Sequence, residues 1–543
     1  MTTTVKSVSF WQVLSYIALP SITGLAYGWE VGSMGGTLGM PQFLLYMGTP
    51  SDFRQGLMTA SLIAGEFVGA LFVGLLSDRF GRRKTIWLCI AVYTIGQILL
   101  VAAQNQGMFI AGRVINGLGA GPWFQTVSFY TAEITPPHIR GRVAATLNSG
   151  IAVGILVTYW IQYGAIHITS NAAWRLSFGL QLLPGIVAAK LVYFRPESPR
   201  WLVQHGRSDE ALSVLASLHS KGDINDAFVR SEHVEIRASV ELESTGEAPS
   251  YLALLTKPTY RRRTALAMGL QCMQQLSGAN IVLYYAAKVF AQTGRSGPTA
   301  ALLANAISSA LLLVGTVSLT LLIDFYGRRK PIFTGHFTMG LCLMIVASIL
   351  LSYGSPHFDQ ITQSVQFSFS NKSAGNTAVA FMFLFQFSFG AFSSSLPWTY
   401  HSEVFQLLAR ARGTSLAVAA NYFTNFWLGL YIPQALNAAG WKLYYIFGAI
   451  NWTCAVIGWL FFPETAGRAL EELDLLFTPD RSVWVCFDKE AKSKKDLIGE
   501  GIQSDPEALR LELLHRLGRD DPNEVIDLHD AKSPHTSDCV ERV

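Results

Sequence analysis

Long apolar stretches alternate with short polar ones along most of this 543-residue chain. A helix needs about 20 mostly apolar residues to cross the roughly 30 Å hydrocarbon core of a bilayer, and twelve stretches reach that length. They form two sets of six, near residues 12–33, 56–77, 85–104, 107–130, 143–165 and 174–194, and near 265–290, 299–323, 331–352, 378–402, 413–436 and 441–462. The pattern predicts an all-α integral membrane protein with twelve transmembrane helices.

Polar segments separate and follow the two sets. The first contains RSDEALSVLASL, whose apolar residues recur at helical spacing, so short cytoplasmic helices are expected there. The second is a polar tail with another expected helix, DPEALRLELLHRLG, and an end whose composition is typical of disorder. We therefore predict an N-terminal bundle at 1–195, a cytoplasmic linker at 196–263, a C-terminal bundle at 264–472 and a cytoplasmic tail at 473–543.

Charged residues are few and unevenly placed. They make up 14 % of the chain, against about 25 % in soluble domains. Lys and Arg concentrate in alternate loops, as at 79–84, 140–142, 261–263 and 328–330, and the positive-inside rule places these loops and both termini in the cytoplasm. The first apolar stretch is too long for a cleavable signal peptide. A multi-pass membrane protein is predicted, without nucleic-acid binding.

The motifs of common enzyme and cofactor sites are missing from the sequence. The six cysteines are scattered over four spans and the tail, which supports neither a disulfide framework nor a metal site. The sequence also lacks a recognisable catalytic triad and a phosphate-binding loop. We therefore expect a protein that is not an enzyme and that holds no metal and no cofactor.

One charged motif occurs twice, as GLLSDRFGRRK at 74–84 and as LLIDFYGRRK at 321–330. Each copy is followed, in the same order, by an acid, a base seven residues later and a Pro-Glu element, PESPR in one half and PETAG in the other. Charges that only keep a loop in the cytoplasm would explain the basic residues, but they would not preserve this order. The repeat predicts two homologous six-helix bundles.

The charged residues of the repeat are candidates for a cytoplasmic gate. We expect the acids and bases of one bundle to pair with those of the other, and the pairs to break when that side opens. The candidates are Asp78, Arg82, Glu133, Arg140, Glu197 and Arg200 in the first half, and Asp324, Arg328, Glu403, Arg410 and Glu464 in the second.

The seventh span carries several amide and hydroxyl side chains. Gln274, Gln275, Asn280 and Tyr284 lie within it, and because unpaired amides are costly in lipid we expect them to face a cavity. Amides and hydroxyls donate and accept hydrogen bonds, as a ligand rich in hydroxyl groups requires. The alternative is that these side chains join neighbouring helices to one another.

Glu30, in the middle of the first span, is a candidate proton carrier. A carboxylate is expensive in the membrane interior and is usually functional there, and Arg113 in the fourth span is its natural partner. The alternative is a purely structural ion pair. Glu66, in the second span, is expected at a helix interface in protonated form. Lys288 is expected to extend toward the membrane interface.

Seven motifs occur in a fixed order: SDRFGRRK, RVINGLGAG, FYTAEITPPHIRG, PESPRWL, QQLSGAN, DFYGRRK and PETAGRALEE. Through them the chain resembles the sugar porter family of the major facilitator superfamily, fungal proton-coupled hexose carriers in particular, over residues 12–472. The resemblance implies the major facilitator fold, with twelve transmembrane helices in two pseudo-symmetric six-helix bundles. It also implies alternating access to one monosaccharide-like substrate near the midplane.

The resemblance implies roles for individual residues as well. Related proton symporters carry an acid at the position of Glu30 and an arginine at that of Arg113. The residues that match sugar-binding positions of the family are Gln274, Gln275 and Asn280, the tenth-span Trp398, the fifth-span Asn148, where relatives keep a Gln, and the eleventh-span Asn421.

Several positions depart from the family pattern. Leu312 replaces an eighth-span Asn that touches the sugar in many relatives, so one hydrogen bond to the substrate is missing. Ser394 and Ser395 replace a Gly-Pro pair, which alters how the tenth span bends, and Tyr422 replaces a common Trp. These departures leave the identity of the substrate open.

The resulting hypothesis is a monomeric symporter that imports a hexose together with protons. Passive facilitation, with Glu30 only structural, and a non-transporting sugar receptor that signals through its tail are the alternatives. A polyol or a quinate-like sugar acid are the alternative substrates, since these differ from a hexose by only one or two contacts.

Overall fold

The structure of the protein is a computed structural model. It describes residues 10–220, 222–245, 249–285, 288–290, 298–359, 364–369, 371–466, 476–477 and 483–488. The tail helix predicted within DPEALRLELLHRLG lies outside these residues. Among the described residues, eight helices are long and apolar enough to cross a membrane.

Helices form nearly all of the first half and the linker. The first half contains α1 (Phe10–Thr37), α2 (Pro41–Tyr46), α3 (Asp52–Phe80), α4 (Arg82–Val101), α5 (Gln106–Ile134), α6 (Pro137–Ala165), α7 (Ala172–Leu180) and α8 (Leu182–Tyr193). The linker contains α9 (Pro199–Gln204), α10 (Ser208–His219), α11 (Ala227–Thr245) and α12 (Tyr251–Thr256). The helix predicted from RSDEALSVLASL is therefore present as α10.

The second half repeats the helical pattern and adds a small hairpin. Its elements are α13 (Pro258–Leu276), α14 (Ala279–Tyr284), α15 (Pro298–Tyr326), α16 (Arg329–Tyr353), β1 (Gly354–Asp359), β2 (Ser364–Phe369), α17 (Lys372–Phe392), α18 (Leu396–Val404), α19 (Leu407–Ala439) and α20 (Lys442–Phe461). Strands β1 and β2 pair antiparallel, from Gly354 opposite Phe369 to Asp359 opposite Ser364. This hairpin was not predicted from the apolar pattern.

Each predicted span corresponds to helical structure, but two spans are broken in the middle. The seventh is interrupted between α13 and α14 at Gly278, whose φ of +87° is a conformation that favours glycine. The tenth is interrupted between α17 and α18 at 393–395, directly before Pro397. Both breaks free backbone groups, which are tolerated at membrane depth where they line a cavity.

The two halves pack as bundles, and two pairs of helices make the most extensive contacts between them. Within the first half α1 packs against α6, and α3 and α4 pack against α5; within the second, α15 packs against α17 and α16 against α20. Between the halves α3 contacts α19, and α6 contacts α15. The fold is thus the predicted pair of six-helix bundles.

Each copy of the repeated GRRK motif begins a helix, and a glutamate from the Pro-Glu element of the same half caps that helix. Gly81 and Gly327 have φ of +87° and +80°, and the helices that follow begin with orphan backbone amides. Glu197 accepts hydrogen bonds from the backbone amides of Arg82 at 2.8 Å and Arg83 at 3.2 Å. Glu464 does the same for Arg328 at 2.8 Å and Arg329 at 3.2 Å. In each half the Pro-Glu element therefore follows the GRRK motif because its glutamate caps the helix that begins there.

The described ion pairs of the predicted gate lie within single bundles. Arg82 pairs with Glu133 at 3.0 Å and with Asp78 at 3.3 Å, and Arg328 pairs with Glu403 at 2.8 Å. Arg410 donates to the Phe405 carbonyl, and Arg200 lies in α9. The side chains of Arg140 and Asp324 lie outside the described part of the chain. In this conformation these residues stabilise each bundle, and pairing across the bundles stays a prediction for another conformation.

Helices α3 and α5 cross unusually closely because small residues face each other. A Cβ on Gly117 would lie 2.1 Å from the Leu62 carbonyl oxygen, and one on Gly65 would lie 2.3 Å from that of Val114. Small residues at such crossings let membrane helices approach until their backbones touch. This crossing fixes the position of Glu66, which follows Gly65 directly.

Gly117→Ala is expected to destabilise the N-terminal bundle by about 1–3 kcal/mol, since the added methyl group forces α3 and α5 apart. The measurement is thermal unfolding of the purified protein in detergent. Gly74→Ala is the matched control in α3, because a Cβ there would meet nothing within 4 Å. Equal melting temperatures for the two variants would contradict the close crossing.

Candidate functional site

A cavity of about 100 Å³ lies between the two bundles, near the breaks in the seventh and tenth spans. It is smaller than the roughly 300–1,000 Å³ of sites for drug-sized ligands, which suits a small ligand. All seven predicted substrate-binding residues line it, namely Asn148, Gln274, Gln275, Asn280, Tyr284, Trp398 and Asn421. The structure thus brings together side chains that are up to 273 residues apart in sequence.

Amide side chains from the seventh and eleventh spans form one hydrogen-bond network on the C-terminal side of the cavity. Gln275 Nε2 donates to Asn421 Oδ1 at 2.8 Å, and Asn280 Nδ2 donates to Gln275 Oε1. Asn421 Nδ2 donates in turn to Gln274 Oε1 at 3.1 Å. Side chains held this way present fixed donors and acceptors, so a ligand need not order them on binding.

Asn425 is a cavity residue that the sequence analysis missed. It accepts a hydrogen bond from Asn280 Nδ2 at 3.0 Å and donates one to Tyr284 Oη at 3.0 Å. A signal for it was available, because Asn425 follows Asn421 by one helical turn and therefore lies on the same face of α19. It extends the amide network to the hydroxyl group of Tyr284.

The break in the tenth span supports Gln274. Its Nε2 donates to the carbonyl oxygens of Ser393 at 3.0 Å and Ser394 at 2.8 Å, which the end of α17 leaves free. Three of the departures from the family pattern line the cavity, namely Ser394, Ser395 and Leu312, whereas Tyr422 does not. Leu312 supplies an apolar surface there, so a ligand loses one polar contact at that point.

Aromatic side chains from both halves form another wall of the cavity. Tyr27 of α1 lines it, and Trp398 of α18 meets Phe124 of α5 edge to face, with ring centroids 5.9 Å apart. Asn148 of α6 is the predicted polar residue that the N-terminal bundle contributes. A cavity lined by both aromatic and amide side chains matches a ring-shaped ligand that has apolar faces and polar edges.

Behind this wall Glu30 and Arg113 form the predicted ion pair. Arg113 Nη1 lies 2.8 Å from Glu30 Oε1, and both side chains are fully buried. Glu30 is flanked along α1 by Tyr27 and Val31, which line the cavity. The pair is therefore close to the cavity in sequence along α1, but neither Glu30 nor Arg113 lines it.

Two polar residues that the sequence analysis missed complete this site. Gln181, at the junction of α7 and α8, donates to Glu30 Oε2 at 2.5 Å, and the Ser33 hydroxyl accepts from Arg113 Nη1 at 3.2 Å. Arg113 Nε and Nη2 have no hydrogen-bond partner among the described residues. Two nitrogens of the guanidinium group thus lack hydrogen bonds among the described residues. Loss of the negative charge on Glu30 would leave Arg113 buried without a counter-charge.

The prediction for Lys288 was wrong. Its side chain is buried, and Nζ lies 3.4 Å from Asp52 Oδ1 at the start of α3, whose Oδ2 accepts from Asn437 Nδ2 at 2.6 Å. The amphipathic side chain stays inside because it finds an acid of the other bundle there. These three residues form the outer latch, at the end of the bundles opposite the GRRK motifs.

Two further contacts close the same end. Tyr159 Oη of α6 donates to the Leu283 carbonyl at 2.5 Å. A Cβ on Gly56 of α3 would lie only 2.0 Å from the Leu430 carbonyl of α19, so the two helix backbones touch there. The bundles are therefore closed on each other at the end that carries the outer latch.

Asp52→Asn is expected to shift the protein toward conformations in which this end is open, because Lys288 is left buried without a counter-charge. Spin labels on the exposed residues Leu45 and Lys372, one in each bundle, measure the distance across the opening. The distance distribution should gain a longer component in Asp52→Asn and keep its wild-type form in an Arg54→Gln control. An unchanged distribution in Asp52→Asn would show that the latch does not hold this end closed.

Sequence comparison finds one family over most of the chain: residues 16–477 match the family described as sugar (and other) transporter. A high-affinity glucose transporter of Kluyveromyces lactis is 36 % identical over 476 residues, which are 87 % of this chain and 86 % of that protein. A high-affinity fructose transporter of Schizosaccharomyces pombe is 31 % identical, over 86 % of each chain.

Structure comparison gives the same fold. The proton:xylose symporter XylE, solved with 6-bromo-6-deoxy-D-glucose, superimposes with a TM-score of 0.69 at 23 % identity, covering 86 % of this chain and 99 % of its own. A partially occluded inward-open form of XylE from E. coli superimposes with a TM-score of 0.68, covering 84 % of this chain and 100 % of its own.

Proposed function

The chain belongs to the sugar porter family of the major facilitator superfamily, and we propose that it is a symporter that imports a hexose together with protons. Members of this family are transporters, and the chain is a multi-pass membrane protein. Relatives named as glucose and fructose transporters favour a hexose as the substrate.

One juxtaposition carries the proposal: an amide-lined cavity and a buried acid–arginine pair share the helix α1. Tyr27 and Val31 line the cavity, and Glu30 between them is bonded to Arg113. A shift of α1 on sugar binding therefore moves the carboxyl group of Glu30 relative to Arg113. A cavity without the acid would suffice for passive transport.

The amide network supplies the sugar-binding groups in this proposal. Gln275, Asn280 and Asn421 offer donors and acceptors to the sugar hydroxyls, and Trp398 packs against a ring face. Gln274, Tyr284 and Asn148 also offer hydrogen bonds to the sugar hydroxyls in this proposal. Asn148 does so from the N-terminal bundle. Binding from both sides draws the bundles together and changes which end is open.

A proton couples to this movement through charge. Protonation neutralises the carboxyl group of Glu30, which weakens its hold on Arg113 and lets α1 and α5 shift relative to each other. The empty carrier without its proton keeps the ion pair intact and resists reorientation. Sugar and proton therefore cross the membrane together.

We also propose the orientation and the moving parts. The basic loops and both termini face the cytoplasm, and the outer latch faces outside the plasma membrane. The bundles at 1–195 and 264–472 move as units joined by the linker at 196–263, while the tail at 473–543 stays in the cytoplasm. The described conformation, with its outer end closed, then precedes release of substrate inside.

The test is uptake of labelled sugars by cells that lack their own hexose carriers and express the full chain. Glucose, fructose, galactose, xylose, inositol and quinate are compared while the pH of a weakly buffered medium is recorded. We expect uptake of a hexose with alkalinisation of the medium and loss of accumulation when a protonophore is added. Hexose uptake without any pH change would make the protein a facilitator, and no uptake by surface-exposed protein would favour a receptor.

A further inference from the structure

Glu66 is a second buried acid that the proposed transport cycle does not use. It lies in α3, is 2 % exposed, and its Oε1 has no hydrogen-bond partner among the described residues. Its backbone packs on Gly117 and Gly121 of α5, where an added Cβ would lie 2.9 Å from Glu66 N and 3.0 Å from Glu66 Cα. Gly117 follows Arg113 by one helical turn, so Glu66 shares the surroundings of the Glu30–Arg113 pair.

The local charges do not balance if both acids are ionised. The ionisable groups that interact with Glu66 come from α1, α5, α14 and α19, and they are Tyr27, Glu30, Arg113, Tyr284 and Tyr422. Arg113 is the single cation among them, and it already faces Glu30. A buried cluster with one cation and two carboxylates carries a net charge of −1, which is expensive at membrane depth, whereas one bound proton makes it neutral.

Glu66 is also connected to the cavity and to the other bundle. The Tyr27 hydroxyl group is a neighbour of the Glu66 carboxyl group, and Tyr27 lines the cavity. Tyr422 of α19 lies beside Tyr27 and Gln125, across the interface between the bundles. A protonated carboxyl and a tyrosine hydroxyl each donate and accept, so this contact can change with sugar occupancy and with bundle movement.

We propose that Glu66 is a second proton-binding residue, and that in the described conformation it holds as a neutral acid the one proton that Glu30 and Glu66 share. Glu30 is the ionised member here because Arg113 and Gln181 both donate to it. The proton on Glu66 keeps the cluster neutral, and Tyr27 links that proton to the sugar cavity. This inference deepens the proposed proton-coupled transport and rests on it for its biological meaning.

Infrared spectroscopy of the purified full-length protein in lipid nanodiscs tests the inference without requiring transport. A protonated buried carboxylic acid gives a C=O stretching band that is separate from carboxylate bands and shifts in D₂O. We expect this band in wild type, its loss in Glu66→Gln, and a change of its frequency in Glu66→Asp. Glu30→Asp should leave the frequency unchanged, because Glu30 is ionised.

Absence of the band in wild type, or its persistence in Glu66→Gln, would overturn the proposal. A frequency change in Glu30→Asp but not in Glu66→Asp would place the proton on Glu30 and overturn it as well. Far-UV circular dichroism and thermal unfolding of each variant show that it is folded, and Glu66→Asp keeps the inference testable if Glu66→Gln does not fold.

Accumulation assays separate this inference from the proposed function. In Glu66→Gln the Glu30–Arg113 pair is neutral without any proton, so the sugar gradient that a pH gradient supports should fall toward unity. A wild-type protein that never accumulates sugar would refute proton-coupled transport while the infrared result still decides the state of Glu66. Wild-type accumulation that Glu66→Gln fully retains would refute the second proton site alone.

Discussion

Glu30→Gln should abolish accumulation of sugar against a gradient while exchange of labelled for unlabelled sugar continues. A one-unit pH gradient supports at most about a tenfold sugar gradient for each coupled proton, and this factor should fall to about one. The physical reason is that glutamine fills the space of the protonated carboxyl group but cannot release a proton. The carrier then moves with or without sugar at a rate independent of pH.

The measurement combines accumulation and counterflow in vesicles reconstituted with the purified protein. Glu232→Gln is the matched control, because Glu232 is a nearly buried acid of the linker that pairs with His219 outside the bundles. The control should accumulate sugar as wild type does. Pumping by Glu30→Gln at the wild-type ratio would remove Glu30 from the coupling mechanism.

Gln275→Ala is the second large effect expected, with a rise of about 10- to 100-fold in the KM for hexose. The substitution removes a proposed sugar-binding amide and leaves Asn421 Oδ1 without its donor, while Asn280 loses one of its two hydrogen bonds in the cavity. A lost hydrogen bond costs about 0.5–1.5 kcal/mol, and each buried polar group left unpaired costs about 1–3 kcal/mol. Sugar binding by the purified protein, followed by tryptophan fluorescence or calorimetry, measures the change.

Gln386→Ala provides the matched control for the amide. Gln386 lies in α17, is 1 % exposed and does not line the cavity. Its loss should leave sugar affinity within about twofold of wild type, whatever it does to stability, since it removes no group from the cavity. Equal KM values for Gln275→Ala and wild type would show that the amide network serves packing and not recognition.

Much of the fold was accessible from sequence because it depends on length and composition. A helix that must satisfy all its backbone groups in lipid needs an uninterrupted apolar stretch, and such stretches are visible without any structure. The break at 277–278 was not predicted, and at 393–395 only an altered bend was expected, since an apolar window does not show where backbone groups are freed. The hairpin of β1 and β2 was missed for a related reason: its strands lie between two predicted spans, where the apolar pattern predicts no element.

The polar cavity was predictable because amides inside a span need an explanation. The seven predicted residues line one cavity, and Asn425 could have joined them from its spacing alone. It was harder to predict from sequence which charged side chain pairs with which group. Lys288 was assigned to the membrane interface, yet it meets Asp52, which is 236 residues away in the chain. The gate role of Glu197 and Glu464 stays a prediction, but their role as helix caps was not predicted, because a charge pattern does not say which donor a carboxylate will accept from.

The outer latch has a consequence for how strongly the transporter holds its substrate from outside. In the proposed orientation, a substrate in the medium enters only when the end closed by Asp52, Lys288 and Asn437 opens, so the measured affinity is the intrinsic affinity multiplied by the fraction of molecules in that open state. Each contact in the latch therefore lowers the apparent affinity without touching the sugar. Substitutions in the outer latch would therefore change the apparent affinity for substrate without any change in the binding cavity.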